Sequence, residues 1–151
     1  MSVARWVVNE WLLHDLKGEN GEERQKEAVQ FLDRLNQRCD IIVFVLGSPW
    51  AKKAYELMEF SDPKRRLLSK KLWGLLNDTR KRCPLKQDEL QPISGELQKV
   101  VKPDDWYLVQ AFKAANADGI ITTDEDLQKV LIPFSIPVIM REDFLRQQLL
   151  E

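Results

Sequence analysis

Histidine and cysteine are nearly missing from this chain of 151 residues. It has one histidine, His14, and two cysteines, Cys39 and Cys83. The cysteines lie far apart with no Cys-x-x-Cys, which argues against a disulfide framework or a structural zinc site and fits a reducing cytoplasm. A lone histidine leaves no material for a Cys/His metal centre. With no Gly-x-Ser-x-Gly elbow either, it speaks against a Ser-His-Asp hydrolase. Glycine is scarce as well, at six residues. Neither Gly-x-x-x-x-Gly-Lys-Ser/Thr nor Gly-x-Gly-x-x-Gly occurs, so nucleotide cofactors have no fingerprint here. No apolar run approaches the roughly 20 residues that span a bilayer. No basic start leads into an apolar segment, so no signal peptide is expected.

Charge of one sign is also lacking overall, with 23 Lys or Arg against 24 Asp or Glu. The balance conceals an asymmetry. Residues 52–86 hold eleven Lys or Arg and only four Asp or Glu, so the remainder is acidic. A basic segment beside an acidic one suits a polyanionic ligand bridged by a cation. It equally suits a solvated pair of lysine-rich helices.

The chain is 44% hydrophobic and long enough for one domain with a sizeable core, taken here as residues 1–151. Residues 4–9 read as a short first strand. Gly18 to Gly21 reads as a turn, and Glu22 to Arg38 as an amphipathic helix with Ala28, Phe31, Leu32 and Leu35 on one face. Asp40 to Leu46 is the clearest strand, its unbroken apolar run fitting a strand buried on both faces. Helices follow from Pro49 to about Phe60 and from Asp62-Pro63 to about Leu76. Residues 77–102 read as loop with room for one short strand. Pro103 opens a helix to about Asn116, Gly119 to Thr123 is a strand, and Glu125 to Val130 a short helix. Ile136 to Met140 is the last strand and Glu142 to Leu150 the last helix. Strands that alternate with helices predict an α/β fold, a three-layer α/β/α sandwich with a mainly parallel central sheet.

Four acids crowd two short stretches: Asp104 and Asp105 after Pro103, and Asp124 and Asp126 in Gly119-Ile-Ile-Thr-Thr-Asp-Glu-Asp-Leu127. Parallel topology puts the second pair at a strand's carboxyl edge, where open α/β sheets bind ligands. Carboxylates meeting there would hold a hard divalent cation. Each acid also has a plainer role. Acids favour a first helical turn, and Thr123 could cap the helix with Asp126 completing a box. Of the first pair, Asp105 is the better-placed ligand, because Leu108 and Ala111 would set the buried face of its helix.

Asn9 and Glu10, at the end of the first strand, could add a neutral and a charged oxygen to a cation, or simply form a turn. Asp15 lies too far along to assign. Glu56 and Glu59 reach either the site or solvent. Ser48 is a weak candidate for phosphate contact at a helix start. Trp11, Trp50 and Trp106 fall near strand ends, suited to packing between layers or to stacking on bases.

The pattern Asp105-x-x-Leu-Val-x-Ala111, then Ala117-Asp-Gly-Ile-Ile-Thr-Thr-Asp124-Glu-Asp126-Leu127, then Ile136-Pro-Val-Ile139 and Asp143-Phe-Leu145, resembles the PIN domain, a metal-dependent nuclease family. Val7-Val-Asn9-Glu-Trp-Leu-Leu13 is similar to that family's first strand. Asn9 stands where the family usually has Asp, and Glu56 is the nearest counterpart of its middle Glu. The resemblance implies a Mg²⁺ or Mn²⁺ site on Asp105, Asp124 and Asp126, with Asn9, Asp104 and Glu10 as further candidates. It implies cleavage of single-stranded RNA in the cytoplasm, with the basic segment 52–86 along the RNA backbone. It also admits a homodimer, with apolar residues such as Trp73 at the interface. The alternatives are a non-catalytic PIN-like module that binds RNA or protein, and a toxin held by a small inhibitor protein. No membrane association is expected.

Overall fold

β-branched and aliphatic pairs make the strands of a computed structural model that describes residues 3–150, with side chains as far as Gln147. Met1, Ser2 and Glu151, assigned above to the same domain, lie outside the described residues. The strands are β1 (Arg5–Val8), β2 (Ile41–Val45), β3 (Arg82–Leu85), β4 (Gly119–Thr122) and β5 (Val138–Met140). Every pairing is parallel, and the order across the sheet is β3-β2-β1-β4-β5. Val7 of β1 lies opposite Val43 on one side and Ile120 on the other.

Among the described residues, eight α-helices connect and cover the strands: α1 (Trp11–Lys17), α2 (Glu22–Arg38), α3 (Pro49–Leu57), α4 (Pro63–Leu76), α5 (Gly95–Val100), α6 (Trp106–Ala114), α7 (Glu125–Leu131) and α8 (Arg141–Leu150). Their ends follow local chemistry. Ser48, Asp62 and Ser94 each accept a hydrogen bond from the backbone N–H three residues on, satisfying a donor that the first turn leaves open. Gly18 stops α1 at a φ of +88°, a left-handed conformation that side chains resist.

Alternation along the strands divides the core. Val8, Ile42, Phe44 and Ile121 join α1, α2, α3, α4 and Phe144 of α8 in one hydrophobic cluster. Val7, Val43, Val45 and Ile120 join α5, α6 and α7 in the other. Trp11 and Trp50 are core residues, and Trp106 packs half-buried with its indole N–H on the Val101 carbonyl at 2.8 Å. Packing between layers therefore accounts for all three tryptophans. Trp73 is also half-buried, its N–H on the Ala54 carbonyl at 3.1 Å and its ring 4.9 Å from that of Tyr55. It is not the exposed apolar residue that the dimer expectation used.

Three elements differ from expectation. Trp11–Lys17 is a helix that the sequence did not announce. Residues 77–102 contain strand β3, a 3-10 turn at Gln87–Glu89 and helix α5. The segment after Pro103 begins as a 3-10 turn, Pro103–Asp105, before α6. Among the described residues, no helix is long and apolar enough to cross a membrane.

Candidate metal centre

The strand order sets the place of the site. The chain moves from β1 outward to β2 and β3, then returns to put β4 on the other side of β1. The carboxyl ends of β1 and β4 are therefore neighbours whose connections leave in opposite directions, the crevice where open parallel sheets bind ligands.

Side chains close this crevice from below. The Asn9 backbone N–H donates to the Ile121 carbonyl at 3.0 Å, extending the pairing one residue past β1. Its Nδ2 donates to Thr122 Oγ1 at 3.0 Å, and its Oδ1 accepts from the Glu10 N–H at 2.7 Å. Thr122, fully buried, also accepts from the Asp124 N–H at 3.1 Å. This turn aims the next residues out of the sheet. Asp124 then caps α7, with Oδ1 accepting from the N–H groups of Asp126 and Leu127 at 3.0 and 3.2 Å. The cap is Asp124, not Thr123 as expected, because Thr122 already turns the chain one residue earlier.

Asp105 approaches from the start of α6. It is half-buried, whereas Asp104 is exposed, and Leu108 and Ala111 are buried as the helix register anticipated. Burial pushes the Asp105 carboxyl above the usual range, and the negative charges of Asp124, Glu10 and Asp104 push it further. Lys102 opposes them. Acids distant in sequence thus share one electrostatic field. Asp105, Asp124 and Asp126 also line one small pocket of about 40 Å³ with Lys102 and Leu127. Among the described residues, the carboxylates of Asp105 and Asp126 have no hydrogen-bond or ion-pair partner.

Two further residues escaped sequence reasoning. Lys53, from α3, holds Glu10 Oε1 at 2.8 Å, both side chains about three-quarters buried. It sits in the basic segment, where nothing in the sequence distinguishes it from its neighbours. Tyr107 follows Asp105 by two positions, and its hydroxyl is buried without a hydrogen-bond partner among the described residues. Burial, reinforced by the charges of Glu10 and Asp105, pushes this hydroxyl well above its ordinary pKa.

Other candidates lie elsewhere. Glu56 is exposed and pairs with Lys17 at 3.3 Å. Glu59 is exposed, and Ser48 is buried as the cap of α3. Asp15 is buried against Arg141, with Oδ2 2.8 Å from Nη1.

Among the described residues, no three carboxylate, imidazole or thiol side chains are grouped as a cage for an ion. Magnesium does not require one, since it is generally held by one or two carboxylates and keeps several waters. Hard oxygens from Asp105 and Asp124 meet that requirement in kind and number, and Asp126 lines the same pocket. The donor set suits one Mg²⁺ or Mn²⁺, not a pair, which takes about four acids.

Comparison with protein-family models, with curated proteins and with solved structures finds no match in any of the three.

Proposed function

We propose that this chain is a Mg²⁺- or Mn²⁺-dependent ribonuclease that cleaves phosphodiester bonds of single-stranded RNA, built as a PIN-like α/β/α sandwich. One observation carries the reading. At the switch point of a parallel sheet, Asp105 from the head of α6 and Asp124 and Asp126 from the head of α7 line one pocket, and the half-buried Asp105 carboxyl has neighbouring acids and no hydrogen-bond or ion-pair partner among the described residues, a setting that a cation would relieve. The all-parallel order β3-β2-β1-β4-β5 and the motif around Asp105 and Asp124 support the family assignment.

Asp105 and Asp124 would hold the ion. When bound, it would lower the pKa of a water and neutralise charge that develops on the phosphate. The protein supplies the rest. The Thr122 turn and the Asp124 cap fix one ligand, and burial at the head of α6 fixes the other. The partly exposed Lys53 ammonium beside Glu10 offers a donor to a phosphate oxygen. Exposed Lys52, Lys64, Arg66 and Lys70 of the basic segment would follow the backbone of the strand irrespective of its sequence.

A second reading has its own support. Asn9 brings no charge, its amide already bonds Thr122 and the Glu10 N–H, and Lys53 neutralises Glu10. A site so reduced could bind RNA without cutting it. Incubation of labelled single-stranded RNA with EDTA, Mg²⁺ or Mn²⁺ separates the two. Cleavage that needs the metal and is lost in Asp124→Asn supports the nuclease. RNA that is bound but intact under every metal supports the binding module.

A further inference from the structure

Beside Asp124 the same sheet edge opens into a second and larger cavity. Thr123 and Glu125, the chain neighbours of Asp124, line it, whereas Asp124 itself lines the small metal pocket. The cavity has a volume of about 450 Å³, and Asp15, Arg24, Arg141 and Glu142 supply most of its polar wall. It is built rather than incidental. Arg141 is 3% exposed, held by Asp15 at 2.8 Å and Glu142 at 2.6 Å. Its Nε, fully buried, has no hydrogen-bond partner among the described residues. Arg24 is exposed, and its Nη1 pairs with Glu27 at 3.1 Å and with Glu142 at 3.3 Å. Glu125 is exposed, and among the described residues its carboxylate has no partner.

Charge narrows the ligand. Three carboxylates, on Asp15, Glu125 and Glu142, face two guanidiniums, on Arg24 and Arg141. A net negative wall disfavours phosphate and favours a neutral group that carries both donors and acceptors. Resting on the ribonuclease reading, we propose that this cavity receives a guanine base of the RNA, the nucleotide next to the phosphate held at Asp105 and Asp124. Guanine alone among the four bases offers two adjacent N–H donors, N1–H and N2–H, to one carboxylate. It also offers two adjacent acceptors, O6 and N7, to guanidinium N–H groups. Adenine and cytosine set a donor beside an acceptor, and uracil flanks a single donor with two acceptors. Glu125 accepts the two N–H groups, and Arg24, through the guanidinium nitrogens other than the Nη1 held by Glu27 and Glu142, donates to the acceptor edge. Single-stranded RNA presents its bases unpaired for such readout.

The test needs neither metal nor cleavage. The four nucleoside monophosphates are titrated into the full chain in EDTA and followed by calorimetry or amide chemical shifts. GMP is expected to bind at least about tenfold more tightly than AMP, CMP or UMP. Glu125→Gln, on an exposed helix turn, is expected to abolish that preference while its melting temperature stays that of the native chain. Equal binding of the four nucleotides, or a preference that survives Glu125→Gln, overturns the proposal. The outcomes separate from those of the ribonuclease reading. Selective GMP binding by a protein that never cuts RNA leaves the base site standing and removes the nuclease. Metal-dependent cleavage without selective GMP binding does the reverse.

Discussion

Two acids at one sheet edge meet opposite fates. Asp15 is buried against Arg141 with a 2.8 Å contact, and Asn20 Nδ2 donates to its other oxygen at 2.7 Å. Asp105 is half-buried among other acids and has no such partner. A compensated buried charge ties elements together, here α1 to α8. An uncompensated one opposes folding and persists where a ligand supplies the missing charge. The contrast lies in the partners and not in the residue type, and for this reason it could not be read from the sequence.

Breaking the compensated pair gives the largest effect. Asp15→Ala takes the Nη1 partner from the buried Arg141 guanidinium, which keeps Glu142 and Glu27 on Nη2, and should cost about 3 kcal/mol in urea unfolding. A loss under about 1 kcal/mol would place Asp15 with the surface pairs. Next comes Asp124→Asn. Asparagine caps a helix as well as aspartate does, so α7 and global stability should hold within about 0.5 kcal/mol. Metal-dependent cleavage, measured on labelled RNA, should fall more than about 100-fold, beyond the usual effect of a residue outside the ligand set. Asp124→Ala should lose the cap too, about 1 kcal/mol more.

Much of the fold was legible. Glu22–Arg38 was bounded to the residue, because Gly21 and an amphipathic face mark it. Strand β2 announced itself as an unbroken apolar run buried on both faces, and β4 was read as a strand one residue longer than it is. Helix α1 did not. Its first residue continues the apolar run of β1, and Glu10 makes no side-chain cap that would have signalled a start. Strand β3 hid behind Pro84, which a sheet tolerates only at an edge, and β3 is an edge strand. At the site, Asp105, Asp124 and Asp126 were named from the sequence and line one pocket. Lys53 and Tyr107 were missed because contact with Glu10, in one case, and an orphaned hydroxyl, in the other, are tertiary facts.

Burial raises the pKa of both carboxyls, but Asn20 and Arg24 pull Asp15 back whereas Asp124, Glu10 and Asp104 push Asp105 further, so the pH dependence is followed at Asp105. The Asp105 pKa is raised above its ordinary 3.8, so the native state holds that proton more tightly than the unfolded chain does. Its contribution to stability is present below the unfolded value and is lost as the pH rises through the native one. Asp105→Asn should therefore melt higher than the native chain at neutral pH in EDTA, an advantage that disappears in acid. Melting curves across the pH range check both the sign and the window. The smallest effect belongs to Lys53→Met. The pair with Glu10 is partly exposed, so its removal should change stability by less than about 1 kcal/mol. RNA affinity in EDTA should fall with it.

Thermal unfolding of the native chain and of Asp105→Asn, each in EDTA and in saturating Mn²⁺, tests the central claim most directly. Ligand at about 100 times its Kd adds about 2.7 kcal/mol to the state that binds it. The account predicts that Mn²⁺ raises the melting temperature of the native chain, that Asp105→Asn melts higher than the native chain in EDTA, and that it gains nothing from the metal. An Asp105→Asn protein that is destabilised in EDTA, or that responds to Mn²⁺ as the native chain does, would contradict it.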